Sequence, residues 1–524
     1  MRKTQTATKR LVAKASRALV AISVAACTVM GTAGVAVAED YPDILLASFF
    51  NSAADKSDTL YTSVDGKNFQ KIGVAYQDSS PNSTSDQWVT TTPYYVSTLS
   101  DPSIIYHNGW FYMLSGFTDH NACPGKFIPM IGYSKDLVNW AYPNSGSSTN
   151  VSLDPIPNSS LGSKFDIVAP EFFQTSSGDV YITFSAGYYG DFHGDLHNDT
   201  MYPYIVKLDY LESGTQTPES NPGAAPKTSY GTAVRINLPE SSSNRIDGSF
   251  YEENGTYYYI IKKDGVTNEI WSIKDMSQVS NPNAWTKVCA NALTGFEGPS
   301  LVKFNGQYWL YTDKLADYPA GSADGKNGIF VQQSSSLSGG WWGNDRIGTK
   351  NLDGRDIPNR HGTVIAITDP AAKKVVWEAR AKAGFVYDAS KGSGVEIRVV
   401  NGVEERFFWE NGVMAQSKEA FVDGAWRWYD SDGTMAFSKD AYLPSSGGKW
   451  VRYNEKGEMI KGEDYRYGGW YYFDPITGAM CKGWRTLPDG RRVYYDDVTG
   501  QMVHGWRNIG GRNYHFNEVT GALM

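Results

Sequence analysis

The sequence predicts an all-β protein: a five-bladed β-propeller followed by a solenoid of short β-hairpins. Three observations carry this. A phrase made of a turn pair, an apolar stretch, a polar turn and an aromatic strand occurs four times: DPSIIYHNGWFYMLSG from Asp101, APEFFQTSSGDVYITFSA around Pro170, DGSFYEENGTYYYIIKK from Asp247 and EGPSLVKFNGQYWLYTD from Glu297. Later in the chain a glycine recurs at 412, 433, 457, 478, 500 and 521, each after an aromatic cluster. Aromatic residues make up 14% of the chain, with 34 Tyr and 16 Trp, an excess that suits strands and sugar-facing surfaces.

The 524 residues are enough for two or three domains, and 41% hydrophobic with 20% charged residues marks a globular chain. The first segment reads as a secretory signal. Arg2, Lys3, Lys9, Arg10, Lys14 and Arg17 precede the apolar run LVAISVAACTVMGTAGV, and Ala36-Val37-Ala38 forms a small-residue cleavage site before Glu39. Removing those six basic residues takes the formal charge from −8 to −14. An acidic exported chain is a poor nucleic-acid binder. No later apolar run is long enough to span a bilayer, so no transmembrane segment is expected after cleavage. Cys27 leaves with the signal; Cys123, Cys289 and Cys481 remain, too widely spread for a disulfide framework or a zinc site, with a Cys123–Cys289 bridge the one pairing left open.

In order along the chain, each phrase supplies the two inner strands of a blade, and a third strand follows: IGYSKDLVNW, YIVKLDYL, EIWSIKDM and IFVQQSSSLSGGWW. A fifth unit, GTVIAIT and KKVVWEAR, begins at Arg360-His361-Gly362. It lacks outer strands, which the N-terminal DILLASFF and TLYTSVDG would provide. Joining the chain ends in one blade closes the ring and removes open edges. The inner strands then all start at one face of the disc. Their openers, Asp101, Pro170, Asp247, Glu297 and Arg360, share that face with the loops between second and third strands. Carboxylates at the base of a polar, aromatic funnel suit a sugar. The implied boundaries are 1–38 signal peptide, 39–380 propeller, 381–400 linker or degenerate repeat, and 401–524 repeat array.

The motifs DPSI at Asp101, APE, IDGSF at Asp247, FEGPSL at Glu297, RHG at Arg360 and the phrase SKDLVNW resemble glycoside hydrolase family 43, five-bladed inverting enzymes acting on arabinose- and xylose-containing polysaccharides. The chain departs from that pattern at Val168, where a Trp is usual, and at Gly248, where a Pro often follows the second Asp. The resemblance implies Asp101 as general base and Glu297 as general acid, with carboxylates about 6.5–9.5 Å apart in an inverting enzyme. Asp247 would stand near Glu297 as a second negative charge that favours its acid form. Taken singly, Asp-Pro, Asp-Gly and Glu-Gly are ordinary turn pairs.

Further substrate-binding candidates are Trp88 as a stacking platform, His193 in the loop Asp191–Asp199, Arg360 and His361. His361 suits either a channel site for water or a structural Ca²⁺, as in some relatives, or a satisfied structural histidine; calcium's preference for oxygen favours the second. No cofactor is required and no metal ligands are assigned. The Asp/His alternation at 191–199 fits no standard zinc spacing. Glu171 reads as structural.

The glycines at 412 to 521 are spaced 21, 24, 21, 22 and 21 residues apart, with Met or Leu two residues after each, so the tail is an array of hairpins too small to fold singly. It resembles the choline- and glucan-binding cell-wall repeats of Gram-positive surface proteins. That resemblance implies aromatic cages for choline or a glycan, with Trp484 and Trp506 as the ligand candidates, although most rings in such an array form its core.

The function these readings imply is a secreted, cell-wall-associated glycosidase. It would cleave arabinofuranosyl or xylosyl linkages in plant polysaccharides such as arabinan or arabinoxylan. Two alternatives stand beside it: a carbohydrate-binding surface protein without activity, and a five-bladed fructan hydrolase. The second is disfavoured because Ser100-Asp101-Pro102 replaces an Asn-Asp-Pro-Asn phrase.

Overall fold

Asparagine–glycine pairs decide where the inner strands reverse. Asn108-Gly109, Asn254-Gly255 and Asn305-Gly306 all take positive φ at both positions, the backbone of a two-residue turn whose twist matches the strands it joins. They close the first hairpins of three blades.

The computed structural model describes residues 41–50, 57–77, 100–116, 130–142, 165–188, 201–222, 224–240, 244–263, 267–294, 296–314, 328–350, 359–443 and 448–524. The expected signal peptide, Cys123, Trp88, His193 and most of the funnel loops lie outside the described residues. Tyr41–Met524 forms one compact unit.

Five sheets make the ring, antiparallel except for the edge strand Gly348–Lys350, which runs parallel to Asn68–Gln77. Blade one runs Ser100–His107, Trp110–Gly116, Met130–Ser134 and Trp140–Ala141. Blade two is led by Phe165–Gln174 and Val180–Tyr188, with Met201–Glu212 and Lys227–Tyr230 outside them. Blade three takes Arg245–Glu253, Thr256–Lys263, Thr267–Ile273 and Thr286–Thr294. Blade four takes Glu297–Phe304, Gln307–Lys314, Gly328–Ser334 and Trp342–Arg346. The innermost strands touch in cyclic order, one to two, two to three, three to four, four to five and five back to one. The core lies in layers between adjacent blades; Phe49, Tyr61, Phe69, Trp309 and Tyr311, for example, fill the space between blades five and four.

Blade five closes the ring differently from the sequence expectation. Its innermost strand, Arg360–Ile367, pairs with Ile44–Phe50, and Ser57–Ser63 and Asn68–Gln77 follow outward. The N-terminus therefore supplies three strands, not two. KKVVWEAR, expected as a strand, lies in helix α1 (Pro370–Lys382). The Asp369 carboxylate accepts a hydrogen bond from the Ala372 amide at 2.9 Å, and Pro370 occupies the first turn, where its missing N–H costs nothing. The Val375-Val376-Trp377 run looks strand-like in isolation. The helix wins because Ala372, Val376, Ala379 and Arg380 recur at helical spacing and are buried. Trp377 donates to the Pro42 carbonyl and Arg380 to the Thr62 hydroxyl, so the helix clamps the N-terminal strands.

After α1 come a three-stranded sheet (Gly394–Val400, Val403–Glu410, Val413–Met414) and five two-stranded hairpins from Lys418 to Phe516. The glycine–methionine beat has a mechanical cause. Met480, Met502 and Leu523 donate their backbone N–H to carbonyls of the preceding hairpin, those of Trp450, Trp470 and Arg492. The methionine side chain then lies under the next glycine: a Cβ on Gly500 would meet the Met480 sulfur at 2.6 Å. Each hairpin is thereby stapled to its neighbours. The array is seated on the propeller by Lys418 to Asp65 at 3.3 Å and by Gln70 donating to the Gln416 carbonyl at 3.1 Å.

Candidate active site

The inner strands do not start smoothly. In blades one to four the ladder breaks after its first pairs, and the residue that follows the last paired one has left-handed φ: Asp101 at 55°, Ala169 at 48°, Asp247 at 57° and Gly298 at 57°. A bulge of this kind releases a residue from the ladder and re-aims its side chain. Asp tolerates that conformation better than most residues. The bulges also correct the sequence alignment of the repeats. Asp101, Ala169, Asp247 and Gly298 are equivalent, not Asp101, Pro170, Asp247 and Glu297. Glu297 is the last ladder-paired residue before its bulge, directly opposite Asp313. Gly248, where the motif often has Pro, has a local reason: a Cβ there would lie 1.9 Å from the Tyr259 hydroxyl.

Five of the expected residues meet in one network. Asp101 Oδ1 lies 3.1 Å from His361 Nδ1. The His361 backbone N–H donates to Asp313 Oδ2 at 3.3 Å, and the Arg360 Nε also bonds that oxygen. Arg360 Nη2 reaches Glu297 Oε1 at 3.2 Å, while Lys262 Nζ donates to Glu297 Oε2 at 2.5 Å. Asp247 Oδ2 accepts from the Gly298 amide at 3.3 Å. The three expected catalytic carboxylates thus come together, joined through His361, Arg360 and the bulge of blade four.

Burial and charge act differently on the members of this network. Burial pushes the Asp247 carboxyl up, reinforced by Glu297 and Asp101 and opposed by His361 and Lys262. Burial likewise raises Asp313 to about 6, against the pull of Arg360. His361 goes the other way: burial disfavours its charge, yet the Asp101 carboxylate outweighs that and holds the imidazolium up to about 10. The pit therefore sets four carboxylates, Asp101, Asp247, Glu297 and Asp313, against three cations, Lys262, Arg360 and His361. One added proton brings it to neutrality, a charge balance suited to acid–base chemistry.

Below the pit, Glu171 Oε1 accepts from Ser249 and Thr363 hydroxyls, both at 3.2 Å, and so ties blades two, three and five together. Loss of hydration raises its carboxyl to about 8 from an ordinary 4.5. A folded-state pKa above the unfolded one means that folding takes up a proton. The resulting stability is full below the unfolded value and is lost as pH rises through about 8. Glu171→Gln keeps an acceptor but cannot titrate. Its melting temperature is expected to fall less than that of the wild type between about pH 5 and about pH 9. Parallel melting curves across that range would refute the assignment.

Sequence reasoning missed Lys262, Asp313 and Asp58. Lys262 and Asp313 end the second strands of blades three and four, at the rim where the inner strands begin, and Asp313 stands across the ladder from Glu297. Second-strand ends were the signal available. Asp58 is fully buried, accepts from the Ser115 hydroxyl at 2.5 Å, and is raised by burial to about 7, with Asp101 adding to the shift. Among the described residues no cluster of three or more His, Cys, Asp or Glu has metal-binding geometry, and no helix is long and apolar enough to cross a membrane. Cys289 is buried and has no disulfide partner among the described residues, which do not include Cys123.

In the array, the two ligand candidates differ. Trp484 packs against Tyr494, Tyr514 and Phe516 at 4.9–5.7 Å between ring centres, and the Arg492 guanidinium lies 4.8 Å from its ring. Trp506 is 73% exposed and stacks on His515 at 4.6 Å. Exposed ring pairs also recur at Phe421/Trp426, Tyr442/Trp450 and Tyr465/Trp470.

No protein-family model and no curated protein matches the chain. Solved structures similar to it include a thermostable family-43 glycoside hydrolase, at 15% identity and a TM-score of 0.33, covering 60% of this chain and 91% of that one. The choline-binding protein F of Streptococcus pneumoniae is 13% identical with a TM-score of 0.22, covering 53% of this chain and 79% of its own. The modular autolysin LytC of Streptococcus pneumoniae is 22% identical with a TM-score of 0.19 over 25% of this chain, which spans a third of the autolysin's length.

Proposed function

We propose that the chain is a secreted, inverting glycoside hydrolase that removes or cuts arabinofuranosyl, or xylosyl, units of plant polysaccharides such as arabinan and arabinoxylan. The observation that supports this is the meeting of Asp101, Asp247 and Glu297, from three separate blades, in one network with a carboxylate in excess of cations. Asp101 takes the proton of a water that attacks the anomeric carbon. Glu297 gives a proton to the departing glycosidic oxygen on the opposite face of the sugar. Asp247, held beside Glu297 by the Gly298 amide, orients the sugar by accepting from its hydroxyls. Arg360 and Lys262 position Glu297, and His361 positions Asp101. The repeat array, with Trp506 among its exposed rings, keeps the enzyme on the cell wall through choline or a glycan.

A second reading has its own observation: both Glu297 oxygens are bonded to cations, as in a structural ion-pair network. That favours a carbohydrate-binding surface protein without activity. The test is incubation of the full chain with linear arabinan, arabinoxylan, β-1,3-galactan and levan, with products followed by proton NMR. Pentose release from the first two, with the initial product of inverted anomeric configuration, is the expected result. Retention of configuration, or release from levan alone, overturns the reading; binding without release supports the second.

A further inference from the structure

A cleft of about 600 Å³ opens where the outer strands of blades four and five meet the array. Its charged lining runs against the character of the chain. Lys67, Arg346, Lys449 and Lys461 face two carboxylates, Asp345 and Glu419, in a protein whose formal charge is −8. Lys67 is paired with Asp345 at 2.8 Å. Glu419 accepts from the Tyr453 hydroxyl at 2.8 Å. Lys449 and Lys461 are held in another way. Lys449 Nζ donates to the Thr477 carbonyl at 2.6 Å, and Lys461 Nζ donates to that of Ile476. A bond to a neutral carbonyl orients an ammonium without cancelling its charge. One turn of the chain therefore aims two cations into the same cleft. Trp426 lines it as well, half exposed and braced edge-on by Phe421 at 5.5 Å between ring centres.

A flat apolar ring beside two oriented cations selects a ligand with a sugar face and a negative charge. We propose that this cleft binds a segment of anionic polysaccharide, a sugar ring lying on Trp426 and a carboxylate or phosphodiester on Lys449 and Lys461. The site is separate from the catalytic pit and does not depend on hydrolysis there.

The test uses the full chain in affinity electrophoresis and calorimetry at low salt, with four probes: polygalacturonate, poly(glycerol phosphate) bearing glucosyl substituents, neutral linear arabinan and single-stranded DNA. At least one of the two anionic glycopolymers is expected to bind, and which one distinguishes a carboxylate from a phosphodiester source. The double variant Lys449→Gln and Lys461→Gln keeps donors for both carbonyls and is expected to weaken that binding by roughly tenfold or more. Trp426→Ala, made separately, is expected to weaken it without changing its salt dependence. Hydrolysis of a small aryl glycoside should be unchanged in both. Failure of both anionic polymers to bind, equal binding by both variants and the wild type, or tighter binding of DNA than of either polymer overturns the proposal.

Discussion

Glu297→Gln is expected to lower kcat/KM on arabinan by at least about a hundredfold, the lower range for removal of a general acid. The loss should depend on the leaving group. A sugar hydroxyl cannot depart as an alkoxide near neutral pH, so the polymer needs the full proton transfer. A dinitrophenyl glycoside departs as a stable anion and should lose far less. The substitution is nearly isosteric, but its amide nitrogen must face Lys262 or Arg360, both of which donate to Glu297 in the wild type. Melting curves recorded beside the kinetics therefore separate a folding defect from a chemical one. If polymer and activated glycoside fall by the same factor in a well-folded variant, Glu297 is not the proton donor.

Asp101→Asn is expected to cost on the order of a thousandfold in kcat, within the range for losing a positioned base. Here the leaving group should not matter, because the missing function is activation of water. Azide needs no base and fits where water stood. It should restore turnover of the activated glycoside and give a glycosyl azide of inverted configuration. The variant also removes the largest attraction that keeps His361 charged. Below about pH 10 the wild-type imidazolium is a cation beside Asp101, and in the variant only Asp247 and Asp313 remain to oppose the burial that favours the neutral ring. The pH dependence of stability should therefore change along with activity. Full activity in Asp101→Asn, or a loss that follows leaving-group quality, would remove Asp101 from the base role.

Much of this was legible in the residues because the relevant signals are local. Hairpin phrases repeat, Asn-Gly turns mark reversals, and a strand whose first residues include Asp101 or Asp247 says so in its own sequence. The same locality explains the errors. KKVVWEAR carries strand-forming residues, and only its Asp369-Pro370 cap and its packing against the N-terminal strands turn it into a helix. The third N-terminal strand, Asn68–Gln77, is an outer strand with no aromatic motif of its own kind, and its place depends on pairing with Ser57–Ser63.

The order of the blades, the carboxylates at the heads of inner strands and the glycine–methionine beat of the array were determined by sequence alone, since each is a short-range pattern with a single structural solution. Tertiary structure decided what those carboxylates touch. Lys262 and Asp313 reach Glu297 and Arg360 only because second strands return to the rim where first strands begin. Charge interactions fall off with distance in space, not along the chain. The proton balance of the pit therefore exists only once the ring has closed.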